Sequence, residues 1–577
     1  GSEMCIRDRY THNPWESMKI PIQFLNIYLF EVLMVLFLFL FGRLKWSLRL
    51  QSIFFMLIGL ANYYVLSFRS APIMPWDIYS VKTALSVAGD FKYTLNRQAI
   101  FVLIGFVLLI VAESVVNLEL KGTDKWKKRF WGIRIAGSVL FFALLCSFTN
   151  MLHQESTISK YGMYDKLFTP TVMSKRDGTA VAFLMELQYI SVDKPANYSA
   201  SAVSEILAPY SAPDKTEAIP DRLPNIIVIM NEAFSDPAVL GPFETNEDYM
   251  PYVHSILNGE TPNTISGYLN VSVLGGNTAN TEFEFLTGNT MAFLPHGSVA
   301  YQQYLKREIP SLASHLKALG YQTIATHPYN STGWDRNKVY PLLGFDEMYF
   351  IKDYKNPERI RKYVSDKACY DKIIDMYKSK PNGTPFFVFN VTMQNHSSYT
   401  EEFDNFKPDI KVTGNKSKAL NNYLSLMKIS DASIKDLTDY FSSVTEDTMI
   451  VFFGDHQPTN SVVSNVWKLN GKNGNELSDG DEANRYKVPY FIWCNFDLET
   501  ETDVEISANF LASKILAAAN IPMTAQEQYL HKLSENYPVI TSIRTENSAG
   551  KSTDTKNVMG ELNNYAILQY DCIFGKR

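Results

Sequence analysis

The chain has 577 residues and a formal net charge of −6, too long for one ordinary domain and without the basic excess that would point to a nucleic-acid partner. Its cysteines, at 5, 146, 369, 494 and 572, form no C-x-x-C pair, so neither a thiolate zinc site nor a dense disulfide framework is indicated. The average hides an asymmetry: the first quarter is strongly apolar, and the rest has the composition of a soluble globular protein.

The opening residues, Gly1 to Arg9, have no periodicity and resemble a translated adapter, so 1–17 is set aside as a non-native leader. Residues 18–150 follow as a membrane domain. Four apolar stretches there are long enough to cross a bilayer: Ile20–Phe41, Ser52–Phe68, Ala99–Val116 and Phe130–Phe148. Arg43, Lys45 and Arg49 lie between the first two, and Lys121 to Arg129 between the last two. Short basic loops stay in the cytoplasm, which puts loop 70–98 and everything after 150 outside. It also puts the N-terminus outside, unless a first helix precedes the residues present.

Residues 151–222 read as a connector, with a short helix expected over Thr179–Gln188 and a linker or surface helix over Ser199–Asp221. Residues 223–535 alternate strand and helix. Four runs read as fully buried strands: Asn225–Met230, Gln322–Thr326, Pro385–Val391 and Thr448–Phe453. Helices are expected between them, at Ser311–Leu319 and Asn421–Phe441. The pattern predicts an α/β layered domain with a mostly parallel central sheet. Residues 536–577 are expected to pack on it as a C-terminal segment.

Each of the four strands ends at chemically capable residues: Asn231-Glu232, His327, Gln394-Asn395-His396 and Gly454-Asp455-His456. In open α/β sheets, sites form beyond the carboxyl ends of the strands. Glu232, Asp455 and His456 have the character of ligands for Mn²⁺, Mg²⁺ or Zn²⁺. Taken singly each also reads as a cap or a satisfied loop residue; together they read as a metal site. Gly275-Gly276-Asn277-Thr278 forms a sharp turn before a helix start, where free N–H groups can hold a phosphate. A hydroxyl there beside a divalent metal can lose its proton and attack phosphorus; from this motif alone, Thr278 reads first as a helix cap. Arg336 has the fork to grip a phosphate, and Trp334 the face to cover a small polyol.

GGNTANTEFEFLTG at 275–288, STGWDRN at 331–337 and FFGDHQP at 452–458 resemble the lipoteichoic acid synthase family, membrane-anchored members of the sulfatase and alkaline phosphatase superfamily. The resemblance covers nearly the whole chain, including the tail Tyr570 to Gly575. It implies a sulfatase-like extracellular domain on a multi-pass bacterial membrane anchor. It implies Thr278 as nucleophile and one divalent cation, Mn²⁺ by preference, on Glu232, Thr278, Asp455 and His456. Trp334, Arg336 and His396 would line the glycerol phosphate pocket, with His327 nearby. It implies phosphatidylglycerol as donor, diacylglycerol as leaving group, a phosphothreonine-type intermediate, and a polyglycerolphosphate, glycolipid or glycan acceptor.

Two departures stand out. The family usually has five membrane helices against four here, and Ala233-Phe234-Ser235-Asp236 replaces the expected Ser-Phe form, which points to a subfamily with a different acceptor. The alternatives are a phosphoethanolamine transferase, a phosphodiesterase or sulfatase-type hydrolase, and a catalytically silent glycan-binding ectodomain. No formylglycine-forming context surrounds Thr278, which argues against a sulfatase activity.

Overall fold

The computed structural model describes residues 14–69, 72–75, 77, 95–115, 127–164, 170–190, 192–210, 223–295, 298–472 and 477–575. The leader through residue 13, most of loop 70–98, residues 116–126 and the linker 211–222 lie outside them. The chain divides into two compact units: residues 1–192 with 296–298, and residues 193–295 with 299–577.

The first unit is helical. α1 spans Ile20–Phe41, α2 Leu44–Arg69, α3 Arg97–Ala112 and α4 Lys127–Leu152. α1 ends where Gly42 takes φ 75° and its N–H reaches back to Leu38, a left-handed stop that favours glycine. α3 starts on Asn96, whose side chain accepts from Ala99 N at 2.8 Å. Phe30 meets Phe55 of α2 at 4.3 Å, and Phe39 stacks on Phe141 of α4 at 5.7 Å. Outward, Phe24, Phe101, Leu108, Val139 and Phe142 stay exposed, an apolar band that lipid, not water, would cover.

Among the described residues three helices are long and apolar enough to cross a membrane, within Ile20–Phe41, Leu44–Leu66 and Trp131–Leu152. The expected span Ala99–Val116 differs. Its α-helix stops at Ala112 after 16 residues and tightens into a 3₁₀ turn over Glu113–Val115. Sixteen residues rise only about 24 Å, short of a hydrocarbon core of roughly 30 Å. The expected loop at 43–49 also shrinks, because Lys45 and Arg49 already belong to α2.

The second unit is built on an eight-stranded sheet. Its strands are β1 Asn225–Asn231, β2 Thr264–Asn270, β3 Gln322–His327, β4 Glu347–Phe350, β5 Phe386–Val391, β6 Thr448–Gly454, β7 Lys487–Cys494 and β8 Glu501–Ser507. The spatial order is β8-β2-β7-β6-β1-β5-β3-β4. Only β7 runs against its neighbours; every other pairing is parallel. This is the mostly parallel sheet expected from sequence, and all four expected strands are in it.

β1, β5 and β6 are buried at every position, which is why they read as unbroken apolar runs. Ile227, Ile229, Val388, Ile450 and Phe452 face a core shared with α6, Lys418–Ser442. On the opposite face α5, Thr278–Thr287, inserts Phe285 against Phe389 at 5.6 Å and Phe453 at 5.2 Å. Such pairs contribute about 0.5–1.5 kcal/mol each beyond the burial itself. The helix at Asn563–Phe574, α7, braces the far end of α5: Tyr565 donates to Gly288 O at 2.7 Å, and Gln569 bonds both the N–H and the carbonyl of Thr290. The connector helix Ala200–Leu207 belongs to this unit, and Tyr198 just before it donates to Asp571 Oδ1 of α7 at 2.8 Å.

Candidate active site

β1 and β6 are neighbours in parallel register, with Asn231 paired to Gly454. The next residue of each chain is a carboxylate, so the pairing alone sets Glu232 beside Asp455 at the carboxyl edge. The approach is close. A Cβ built on Gly454 would stand 1.8 Å from Phe234 O, so only glycine lets the β1 turn cross there.

Asp455 Oδ1 accepts from Ala233 N at 2.7 Å and His456 N at 2.9 Å. Among the described residues its Oδ2 has no hydrogen-bond partner although buried, and neither does His456 Nε2. His456 Nδ1 lies 2.9 Å from Gln457 O. A carbonyl can only accept, so Nδ1 carries the proton and Nε2 presents a lone pair. That lone pair sits 3.2 Å from Asp455 Oδ2 and 3.9 Å from Glu232 Oε1. Ligand atoms of all three residues lie within 4.8 Å of one another, and all three are buried. Two buried carboxylates converging on one imidazole nitrogen repel one another, and a cation among them would relieve that repulsion. Burial first, and then the Asp455 charge, push the Glu232 carboxyl up to about 8. Two carboxylate oxygens and an imidazole nitrogen suit a divalent ion of the Mn²⁺, Mg²⁺ or Zn²⁺ kind.

Thr278 opens α5 and is buried. Gly275, Gly276 and Asn277 before it take φ of 60°, 154° and 64°, three left-handed residues in a row that force the reversal into the helix. Asn277 makes no side-chain cap, so the first N–H groups are not closed off by the residue that would normally do so. The turn is fastened to the ligand loop on both sides of Thr278: Gly275 N donates to Gln457 O at 3.1 Å and Thr281 Oγ1 to Asp455 O at 2.8 Å.

His327 ends β3 and Arg336 opens a helix at Arg336–Leu342. Arg336 Nη1 reaches His327 Nε2 at 3.1 Å, and His327 Nδ1 donates to Val391 O at 3.0 Å. Both ring nitrogens of His327 are therefore engaged. Burial, aided by the Arg336 charge, holds it well below the usual imidazole range, so it is neutral. Arg336 is buried too, and its Nε and Nη2 both go to Glu282. The fork expected to meet a phosphate is already occupied. Trp334 and Asp335 precede it in left-handed backbone at φ 57° and 58°, costing about 1–3 kcal/mol each. Trp334 is half-buried.

His396 follows β5 with its Nδ1 near Ser397 O at 3.0 Å and Tyr363 Oη at 3.1 Å. Among the described residues none bonds its Nε2. Burial lowers its pKa. Arg361 holds this loop by donating to the carbonyls of Gln394 at 2.6 Å, His396 at 2.8 Å and Ser398 at 2.8 Å. Asn395 Nδ2 also bonds Asn231 Oδ1 at 2.8 Å, tying the loop to the end of β1.

Sequence reasoning passed over Glu282, Arg361 and Tyr363. Glu282 could have been found, since it lies four residues after Thr278 and so on the same helix face. Arg361 and Tyr363 sit in a polar stretch with no local signal.

A mostly parallel sheet with a buried carboxylate–imidazole cluster at its carboxyl edge, and a helix N-terminus fastened beside it, defines a sulfatase- or alkaline-phosphatase-like domain. The chain belongs to the sulfatase family, whose model matches residues 224–521, and the likeness supports an enzyme of the transferase or hydrolase class. A Rhizobium meliloti protein named for cyclic beta-1,2-glucan modification is 30% identical over 525 residues, covering 88% of this chain and 79% of that one. Lipoteichoic acid synthase 1 of Bacillus subtilis is 21% identical over 405 residues, covering 67% and 59%. The phosphoglycerol transferase GacH of Streptococcus pyogenes, solved with sn-glycerol-1-phosphate, shares the fold at a TM-score of 0.53 and 23% identity, covering 67% of this chain and 96% of that one.

Proposed function

We propose that the protein is a membrane phosphoglycerol transferase that takes glycerol phosphate from phosphatidylglycerol, holds it on Thr278, and passes it to a glycan or polyglycerolphosphate hydroxyl outside the membrane. The observation that carries this reading is the fastening of the Thr278 turn to the Asp455–Gln457 loop. It ties a hydroxyl at a helix N-terminus to the strand end that carries the Glu232–Asp455–His456 cluster. The long similarity to a protein named for cyclic glucan modification supports a glycan acceptor over a growing polyglycerolphosphate chain.

Glu232, Asp455 and His456 would hold one divalent cation with Thr278 completing the set, and the bound ion would ease loss of the threonine proton and neutralise charge on the phosphoryl oxygens. In the first half-reaction the Thr278 Oγ1–phosphorus bond forms as the bond from phosphorus to the diacylglycerol oxygen breaks. The threonine proton ends on that oxygen, with His396 Nε2 as carrier. His327 is less suited to this role, because both of its nitrogens are engaged. In the second half-reaction the acceptor hydroxyl displaces Thr278, and its proton returns to the threonine oxygen. The α5 N–H groups stabilise the phosphoryl charge in both.

The test uses full-length protein in vesicles of labelled phosphatidylglycerol with Mn²⁺, supplied with cyclic β-glucan or polyglycerolphosphate. Diacylglycerol release and labelled glycan should both appear with wild type. Both should fall at least about 10³-fold for Thr278→Ala, since losing a nucleophile removes turnover and not merely affinity. Equal release by the two proteins would sink the nucleophile. Transfer from phosphatidylethanolamine in place of phosphatidylglycerol would turn the reading to the rival transferase.

A further inference from the structure

Glu282 is completely buried on α5, one turn beyond Thr278 and on the same helix face. Its carboxylate accepts from Arg336 Nε at 3.0 Å, from Arg336 Nη2, and from Tyr340 Oη at 2.8 Å. These donors occupy both of its oxygens and fix its orientation. Arg336 keeps only Nη1, which faces His327 Nε2 at 3.1 Å and Gly333 O at 3.5 Å. His327 in turn is pinned to Val391 at the end of β5. A continuous chain of contacts thus runs from the helix that opens on Thr278, through Glu282, Arg336 and His327, to the sheet.

Stability alone does not ask for this arrangement. A buried ion pair loses hydration on both partners, and well-packed apolar groups of the same volume often stabilise a core as much or more. Orientation does ask for it. The Arg336 charge already acts on Glu232, so without Glu282 nothing would keep the fork from turning toward that carboxylate. With Glu282 in place the plane of the guanidinium is set, its charge is locally balanced, and one edge is turned to His327.

Resting on the transfer reading above, we propose that Glu282 is a positioning residue of the reaction: it couples the nucleophile's helix to Arg336 and His327, so that Arg336 acts through one fixed edge and not through its whole fork. Lysine at 336 cannot replace it, because an ammonium has no planar fork to be held.

A double-mutant cycle on the full-length protein in phosphatidylglycerol vesicles decides this, using Glu282→Gln, Arg336→Lys and the double variant. Glu282→Gln should lower kcat about 10–100-fold with a smaller change in KM. In the Arg336→Lys background the same change should cost less than about 3-fold, because Glu282 acts only through Arg336. A loss of equal size in both backgrounds, or no loss in either, overturns the proposal. The same cycle is read on the affinity for inorganic phosphate. If wild type releases no diacylglycerol, the transfer reading falls while the phosphate cycle still decides the role of Glu282. Should the Glu282→Gln protein fail to fold, Tyr340→Phe removes one hydrogen bond to the same carboxylate and enters the cycle in its place, with an expected loss of about 3–10-fold.

Discussion

Asp455 and Arg336 are both buried charges, and their roles differ by what each has left to offer. Asp455 spends one oxygen on two backbone N–H groups and keeps the other free beside His456. Arg336 spends two nitrogens on Glu282 and keeps one. The first is open to a cation, and the second is a braced edge. A third charged group, half-buried, lies away from these. His254 Nδ1 is 2.8 Å from Asp248 Oδ1, and its Nε2 is 3.8 Å from Asp236 Oδ2. Burial alone would lower its pKa, but the two carboxylates win and raise it to about 9. A raised folded-state pKa means that the contribution is complete below the unfolded value of about 6.5 and disappears as pH rises through 9. His254→Ala should therefore lower the unfolding free energy near pH 6 by about 1–2 kcal/mol after allowance for partial exposure, and the melting midpoint with it. Above about pH 9.5 the two proteins should melt alike. A gap that widens toward alkaline pH would mean that His254 is held neutral.

At the scale of the strand, two glycines do different work. Gly454 lets the β1 turn pass over the end of β6, where a Cβ would meet Phe234 O at 1.8 Å. Gly267 lets β8 lie against β2, where a Cβ would meet Val504 O at 2.1 Å. Either substitution by alanine forces backbone apart, costing about 1–3 kcal/mol or more. The consequences should separate. Gly454→Ala should weaken Mn²⁺ binding, measured by titration calorimetry, by at least about 10-fold, because it spreads Glu232 from Asp455. Gly267→Ala should destabilise the protein but leave the ion affinity of the folded fraction unchanged, since β2 and β8 lie across β7 from β6. Ion affinity lost in both would mean that the sheet relaxes as a whole. The same contrast explains what the sequence made legible. β1, β3, β5 and β6 are central or nearly so and read as apolar runs, and each ends at a residue that reached the candidate site. β2 carries Ser266 and Gly267, β7 carries Pro489, and β8 is a charged edge. β2 and β8 show no uninterrupted apolar run, and the run Tyr490–Cys494 of β7 follows Pro489, a residue that reads against a strand interior. Glu282 was missed because its partner Arg336 lies 54 residues on.

At the scale of the whole molecule, the two units answer to different solvents. The first exposes large apolar side chains along helices long enough to cross a bilayer. The second buries its apolar residues around a sheet. A donor with two acyl chains does not leave the bilayer, so a transferase acting on it gains from being anchored in the same membrane. Orientation follows from charge. Arg43, Lys45 and Arg49 gather where α1 passes into α2, and basic residues of short connections remain cytoplasmic. That orientation requires α3 to cross as α2 and α4 do, the bilayer thinning around its 16 residues, and the second unit should then face outward, where glycans are found. Added cysteines test this in a Cys5→Ser, Cys146→Ser background, where Cys369, Cys494 and Cys572 are buried. Lys416→Cys, exposed in the catalytic unit, should react with a membrane-impermeant maleimide on intact spheroplasts, and Arg43→Cys only after the membrane is opened. Labelling in the reverse order would place the site in the cytoplasm, away from any surface glycan. A glycan acceptor would then be untenable even if Thr278 still carried the phosphoryl group.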